Sequence, residues 1–246
     1  PEGFLAIEEH GEFLGGGAII RHSSTFGFMG LFIIDPAHRG RGLGTKLWMT
    51  RRDTLLQRLG DNATIALDGV YDMVPFYEEG GFRQFSHHRR FLLDRPAAEA
   101  QLSRSVKHLK SLSFEEIASF DARCFPGRRD AFLSKWIKQP TAISLGYVDD
   151  TGLRGFGVMR RSVSGWRVAP LFADSVEIAD TLFQAFQLHQ GNKPLFLDVP
   201  DYNPAAGEIC NRYRMQEIFG CVRMYLGPLP QVELHNIFGT TTLEVG

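Results

Sequence analysis

The sequence predicts a mixed α/β protein in which one domain pattern is written twice. Three observations carry this. Short apolar strands alternate with a few helix-like segments. A set of residues recurs in order in the two halves. The strand that ends at Pro36 runs through closely spaced glycines into a helix.

In the first half, Phe4–Ile7 is apolar, Glu8-Glu9-His10-Gly11 reads as a turn, and Glu12–His22 as the second strand of a hairpin. In the second half, Ile143–Val148, the turn Asp149-Asp150-Thr151-Gly152 and the strand Leu153–Arg161 repeat that unit. Gly15, Gly17 and Arg21 fall over Gly155, Gly157 and Arg161, and the same offset brings Leu31-Phe32 over Leu171-Phe172. Thr64–Asp68 matches Pro194–Asp198, and Arg90-Phe91 matches Arg223-Met224-Tyr225.

The first copy continues with a strand at Phe26–Ile34, a helix at Gly42–Leu59, a strand at Thr64–Leu67, a short helix at Met73–Glu79 and a strand at Phe82–Leu93. In the long helix Leu43, Leu47, Leu55 and Leu59 make an apolar ladder with Trp48 and Leu56 beside it. Arg51, Arg52, Asp53 and Arg58 are assigned to the opposite, solvated face. The second copy opens with a strand at Ser105–Leu112 and helices near Ser113–Cys124 and Arg128–Lys138, and later has a helix at Val176–Leu188. The first copy has no counterpart of these opening elements, so it is expected to be N-terminally incomplete. The expected domains are 1–96 and 104–246, with the boundary near Asp94–Arg104.

The 246 residues carry 43% hydrophobic and 22% charged residues and a net charge of -1, with no long basic run, which disfavours a nucleic-acid partner. No apolar stretch is long enough to span a bilayer. Cys124, Cys210 and Cys221 are odd in number and widely spaced, which fits a reducing, cytoplasmic setting better than a disulfide scaffold or a zinc site. His87-His88 on an alternating strand and the Asp149–Gly152 turn are poor metal and calcium sites, so no metal is expected.

The chemistry concentrates in Gly30–Thr45. After Pro36 the chain reads Ala-His-Arg-Gly-Arg-Gly-Leu-Gly-Thr, with Gly40, Gly42 and Gly44 at alternate positions before the helix. Glycines allow close approach of backbone to ligand, and the open amides of a helix start attract an anion. The order Gly44-Thr45-Lys46 fails the P-loop pattern, and the glycine spacing fails the dinucleotide fingerprint.

What remains is R-x-x-G-x-G, filled by Arg39, Gly42 and Gly44, which resembles the pyrophosphate loop of the GNAT superfamily of acyl-CoA-dependent N-acetyltransferases. Val74-Pro75-Phe76-Tyr77-Glu78-Glu79-Gly80-Gly81-Phe82 resembles that family's closing segment. In the second half, Phe120-Asp121, Arg123–Pro126, Arg129, Phe132-Leu133, Leu171–Asp174, Leu197–Pro200, Arg223–Tyr225 and Thr241–Glu244 resemble tandem acetyltransferases with a YitH-type C-terminal domain.

The resemblance implies two tandem GNAT-like domains with a strongly curved mixed sheet. It implies that acetyl-CoA lies in a cleft where the strand Phe28–Ile34 splays from its neighbour. Backbone groups of Phe32, Ile33 and Ile34 would pair with the pantetheine arm. Gly40, Arg41, Gly42, Leu43, Gly44 and Thr45 would surround the pyrophosphate, with Arg39 and Arg41 adding charge or remaining solvated. Tyr77 stands where the family places the general acid, the alternative being a tyrosine packed against the sheet. Asp68 either handles the acceptor amine or caps the next turn. His22, Glu8 and Glu9 are weaker candidates for a base, and water is another.

Val70 stands where many relatives carry asparagine. The second copy lacks the glycine loop and reads as a partner domain, either structural or walling the acceptor pocket. The expected activity is acetyl transfer from acetyl-CoA to a primary amine of a small molecule or protein, by a monomer or homodimer. The alternative is a non-catalytic CoA-binding or interaction protein.

Overall fold

A computed structural model describes residues 2–246. It is a mixed α/β structure with two compact units. The first holds the residues up to Phe85 together with Val222–Pro230 and Leu243–Gly246, and the second holds Ser86–Cys221 and Gln231–Thr242. The contact division falls at Phe85–Ser86 and again at Cys221–Val222, inside two strands that run through both units.

In the first unit, β1 (Phe4–Glu9) and β2 (Glu12–Arg21) form the expected hairpin. Next to β2 lies β3 (Phe26–Ile34), antiparallel to it, and then β4 (Thr64–Gly69), parallel to β3. The helices are α1 (Leu43–Arg58) and α2 (Val74–Glu79). Strand β5 (Arg83–Leu93) leaves this unit after Phe85. Residues Val222–Leu226, the last part of a strand from the far end of the chain, pair antiparallel with β4. The core gathers Ile19, Met29, Trp48, Leu55, Ile65, Leu67, Tyr77, Phe82, Val222 and Met224. Leu47 and Leu55 of the predicted ladder are buried, while Leu56 is exposed.

Arg51 departs from expectation. It is fully buried rather than solvated, because a step of four residues puts it on the ladder between Leu47 and Leu55.

The second unit opens with β6 (Val106–His108), followed at once by a 3-10 turn at Leu109–Ser111. The strand expected over Ser105–Leu112 is thus cut short, because Leu109 turns inward and is buried. Next come α3 (Phe114–Cys124), held at its start by a capping box of Ser113 and Glu116, and α4 (Asp130–Trp136). Strands β7 (Ile143–Asp149), β8 (Gly152–Arg161) and β9 (Trp166–Ala173) form an antiparallel meander. Helix α5 (Val176–Gln187), capped by Ser175, leads to β10 (Leu195–Pro200), α6 (Pro204–Arg212), β11 (Gln216–Leu226) and β12 (Ile237–Gly239). β10 lies between β9 and the second part of β5, and β12 pairs with β9.

The repeat survives in detail. Both copies carry a register shift, one residue apart in the repeat, between Gly16 and Ala18 in β2 and between Gly157 and Met159 in β8. A Cβ on Gly15 would strike the Ile33 carbonyl oxygen, and one on Gly155 the Phe172 carbonyl oxygen. The glycines recur because the paired backbone sits too close for a side chain.

The second unit buries a bidentate pair, Arg129 to Asp121 at 2.8 Å, each side chain about 1% exposed, with Arg129 also donating to Thr241. Asp121→Ala would leave that guanidinium uncompensated, and a stability loss of about 3–5 kcal/mol is expected in urea denaturation. A midpoint within experimental error of the parent would show that Arg129 finds water instead.

All three cysteines are buried and outside disulfides. Among the described residues no helix is long and apolar enough to cross a membrane, and no cluster of histidine, cysteine or carboxylate side chains has metal-binding geometry.

Candidate acyl-transfer cleft

Strands β3 and β4 are paired only from Phe26 to Phe28. Beyond Phe28 the parallel ladder stops, while β3 stays paired with β2 as far as Ile34. The β4-facing edge of β3 from Met29 onward therefore has no strand partner, and a cleft of about 580 Å³ opens there. Its wall includes Gly30, Phe32, Ile34, Arg39, Asp68 and Tyr77.

The splay has a local cause. The register shift against β2 leaves an extra residue, and Leu31 takes a left-handed φ of 51° to absorb it. Phe32 stacks against Phe76 at 6.2 Å, which turns its ring away from solvent.

The glycine loop follows β3. Gly40 and Gly42 have φ of 78° and 76°, a region costly for other residues, and a Cβ on either would meet nothing within 4 Å. Gly42 is the N-cap of α1 and supplies no side-chain cap. The first intrahelical bond runs from the Lys46 amide to the Gly42 carbonyl, so the amides of Leu43, Gly44 and Thr45 have no partner within the helix. Open space over uncapped amides at the positive end of a 16-residue helix suits a pyrophosphate.

The two flanking arginines differ. Arg39 lines the cleft, and its Nε donates to the Ile34 carbonyl at 3.1 Å. Arg41 is turned to Glu9, 2.9 Å away, and touches His38. Of the two readings open for Arg41 in the sequence, the structure thus adds a third, an ion pair across the hairpin. It also engages Glu9, one of the candidate bases.

Tyr77 is about 8% exposed and packs on Trp48 with ring centroids 4.9 Å apart. A Cβ on Gly69 would strike the Tyr77 ring at 2.6 Å, so the absence of a side chain there seats the tyrosine against β4. Burial raises the phenol above its ordinary value, and the nearby Arg51 charge partly opposes the rise. The hydroxyl therefore stays protonated at neutral pH, as a proton donor must.

Asp68 is engaged on both oxygens. Arg223 donates to them through Nε and Nη2, each at 2.8 Å, and the Asp68 side chain has no exposed surface. Its partner lies 155 residues away in sequence, which is why Asp68 read as a possible base. His22 places Nε2 at 2.6 Å from the Val245 carbonyl. A carbonyl oxygen only accepts, so that nitrogen carries the hydrogen. Val70 is exposed at the mouth of the cleft, and Glu8 is exposed on the hairpin.

One neighbour was not foreseen. The segment Leu243–Gly246 packs across β3, and a Cβ on Gly30 would overlap the Glu244 carbonyl oxygen. Gly30→Ala is expected to dislodge that segment at a cost of about 1–3 kcal/mol. Faster amide exchange at 243–246 with lowered stability is the predicted result, and an unchanged exchange pattern would show that β3 yields instead.

The acetyltransferase (GNAT) family model matches residues 1–82, and a second acetyltransferase (GNAT) domain model matches residues 117–239. A holothin acyltransferase from Pseudoalteromonas sp. (strain SANK 73390) is 26% identical over 255 aligned positions, covering 100% of this chain and 84% of that protein. A presumed acetyltransferase from Pyrococcus horikoshii superposes with a TM-score of 0.86 at 21% identity, covering 100% of this chain and 81% of the other. A tandem GNAT protein from the clavulanic acid pathway gives a TM-score of 0.63 at 13% identity, covering 93% of this chain and 85% of the other, and thus shares the fold. The chain belongs to the GNAT family of acetyltransferases and carries two of its domains in tandem.

Proposed function

We propose that the first unit transfers an acyl group, with acetyl as the first candidate, from acyl-CoA to a primary amine by direct attack. The observation that carries this reading is the run of β3 from its unpartnered edge at Met29–Ile34 into the uncapped start of α1, with Tyr77 on the same cleft. Backbone groups of Phe32, Ile33 and Ile34 take the pantetheine arm as an added strand would be taken. The loop from Gly40 to Thr45 takes the pyrophosphate through its amides, and Arg39 adds charge from the cleft wall.

In the transfer, the amine lone pair forms a bond to the acyl carbon and the carbonyl electrons move onto oxygen. A backbone amide at the bulge of β3 steadies that oxygen. When the carbon–sulfur bond breaks, sulfur keeps the electron pair and takes the Tyr77 hydroxyl proton. The proton shed by the nitrogen leaves through water in the open cleft and restores Tyr77. Asp68 orients the wall through Arg223 in this scheme and takes no proton, because both of its oxygens are engaged.

The second unit has no glycine loop between β9 and α5, where Ser175 caps the helix directly. It serves as partner to the transferase unit. The relative named for holothin supports acyl transfer as the activity and puts holothin at the head of an acceptor panel.

The test is titration of the purified chain with acetyl-CoA, followed by thiol release with holothin and with alkyl and aryl amines. Binding near one equivalent and amine-dependent thiol release are expected. Binding without release under any amine would favour a CoA-binding module, and no binding would overturn the reading.

A further inference from the structure

We infer that Arg51 is the positioning charge of this cleft: it pins the bulge of β3 and sets a fixed positive charge beside Tyr77 and the reacting carbonyl. The inference rests on the transferase reading above.

Arg51 has no exposed surface, yet it lies in the wall of the cleft. Its Nη2 donates to the Ala18 carbonyl at 2.6 Å and to the Gly30 carbonyl at 2.5 Å. Those residues face each other across β2 and β3 at the register shift. The Gly30 carbonyl and the Leu31 amide belong to one peptide unit. A guanidinium on the oxygen polarises that unit and strengthens the amide as a donor. The same contact holds Leu31 in its left-handed turn. The guanidinium also lies 5.4 Å over the Phe32 ring.

Arg51 Nε and Nη1 are buried with no hydrogen-bond partner. Stability alone disfavours such donors. The second unit shows what the fold requires at this place. Gly17 leaves room for the Arg51 guanidinium, whereas Gly157, its counterpart in the repeat, leaves room for the Phe186 ring of α5. A large side chain is needed in both units, but a charge stands only in the unit with the glycine loop. Burial brings the Arg51 pKa down to about 10, so the charge persists at neutral pH.

The other charged groups around the cleft are Arg39, Asp72 and Asp68, the last held by Arg223. The oxyanion, the leaving thiolate and the Tyr77 phenolate are all anions formed during transfer. A buried cation fixed beforehand favours each of them without reorganising.

The test compares Arg51→Met, which keeps the slot filled, with Arg51→Lys, which keeps the charge. Acetyl-CoA affinity, kcat and KM for amine-dependent thiol release, and Tm are measured for each. For Arg51→Met, affinity within about threefold of the parent, a modestly lower Tm from the two carbonyls that lose their donor, and a kcat reduced about a hundredfold are expected, since that is the scale of losing one preorganised electrostatic contact. Arg51→Lys should regain about tenfold or more. A kcat within about threefold of the parent in Arg51→Met overturns the inference. So does an equal fall of affinity, kcat and Tm in both variants, which marks a purely structural side chain. A parent that neither binds acetyl-CoA nor releases thiol overturns the transferase reading and this one together, and is recognised before any variant is made.

Discussion

Tyr77→Phe is expected to slow amine-dependent CoA release by about a hundredfold or more while acetyl-CoA binds within about threefold of the parent. The change removes one oxygen and leaves the ring on Trp48, so the core is kept. In the proposed transfer, what is lost is the proton for the departing sulfur. The pH dependence follows from the direction of the shift. The phenol is raised by burial, so the protonated, competent form dominates through neutral pH and is lost only as pH rises through the raised value. The parent should hold its rate on the alkaline side until that point, and the variant should lack this limb. The same shift favours the folded state below the ordinary tyrosine value, about 10, and that contribution disappears as pH rises through the folded value. Unchanged turnover in Tyr77→Phe would take the tyrosine out of the mechanism and assign the proton to water.

The second large effect is on binding. Gly42→Glu is expected to weaken acetyl-CoA binding by about a hundredfold or more in a calorimetric titration. Two causes act together. A side chain at φ of 76° is strained, and its carboxylate enters the space over the Leu43–Thr45 amides where the phosphates would sit. Gly42→Asn separates them, because asparagine tolerates the left-handed region and carries no charge. It should lose about tenfold or less. Equal losses in both variants would place the effect in loop conformation, and retained binding in Gly42→Glu would move the phosphates away from this helix.

Much of this site is legible along the chain because its parts are local. The glycine loop is a single run of residues whose conformational needs follow from the absence of side chains. Tyr77 sits in a short segment with its own pattern. The hairpins and their repeat are visible because each strand alternates against a near neighbour in sequence. Local patterns misled at Arg51 and left Asp68 and Arg41 open. Arg51 lies on the apolar ladder by spacing but is polar by type, and type prevailed in assigning it to solvent. Asp68 stayed open between an amine-handling and a structural role because its partner Arg223 is far away in the chain. Arg41 stayed open between phosphate and solvent because nothing nearby in sequence shows that Glu9 meets it across the hairpin.

The sequence alone therefore determines the duplicated α/β plan, the glycine loop before the long helix and the short segment that carries Tyr77, since each depends on backbone freedom and periodicity within a few residues. The splay of β3 from β4, the ion pair that engages Asp68, the segment Leu243–Gly246 over Gly30 and the buried charge of Arg51 come only with tertiary structure. Each arises where groups distant in the chain are brought out of water together. There the cost of an unpaired charge or a bulky side chain depends on neighbours that no local pattern names.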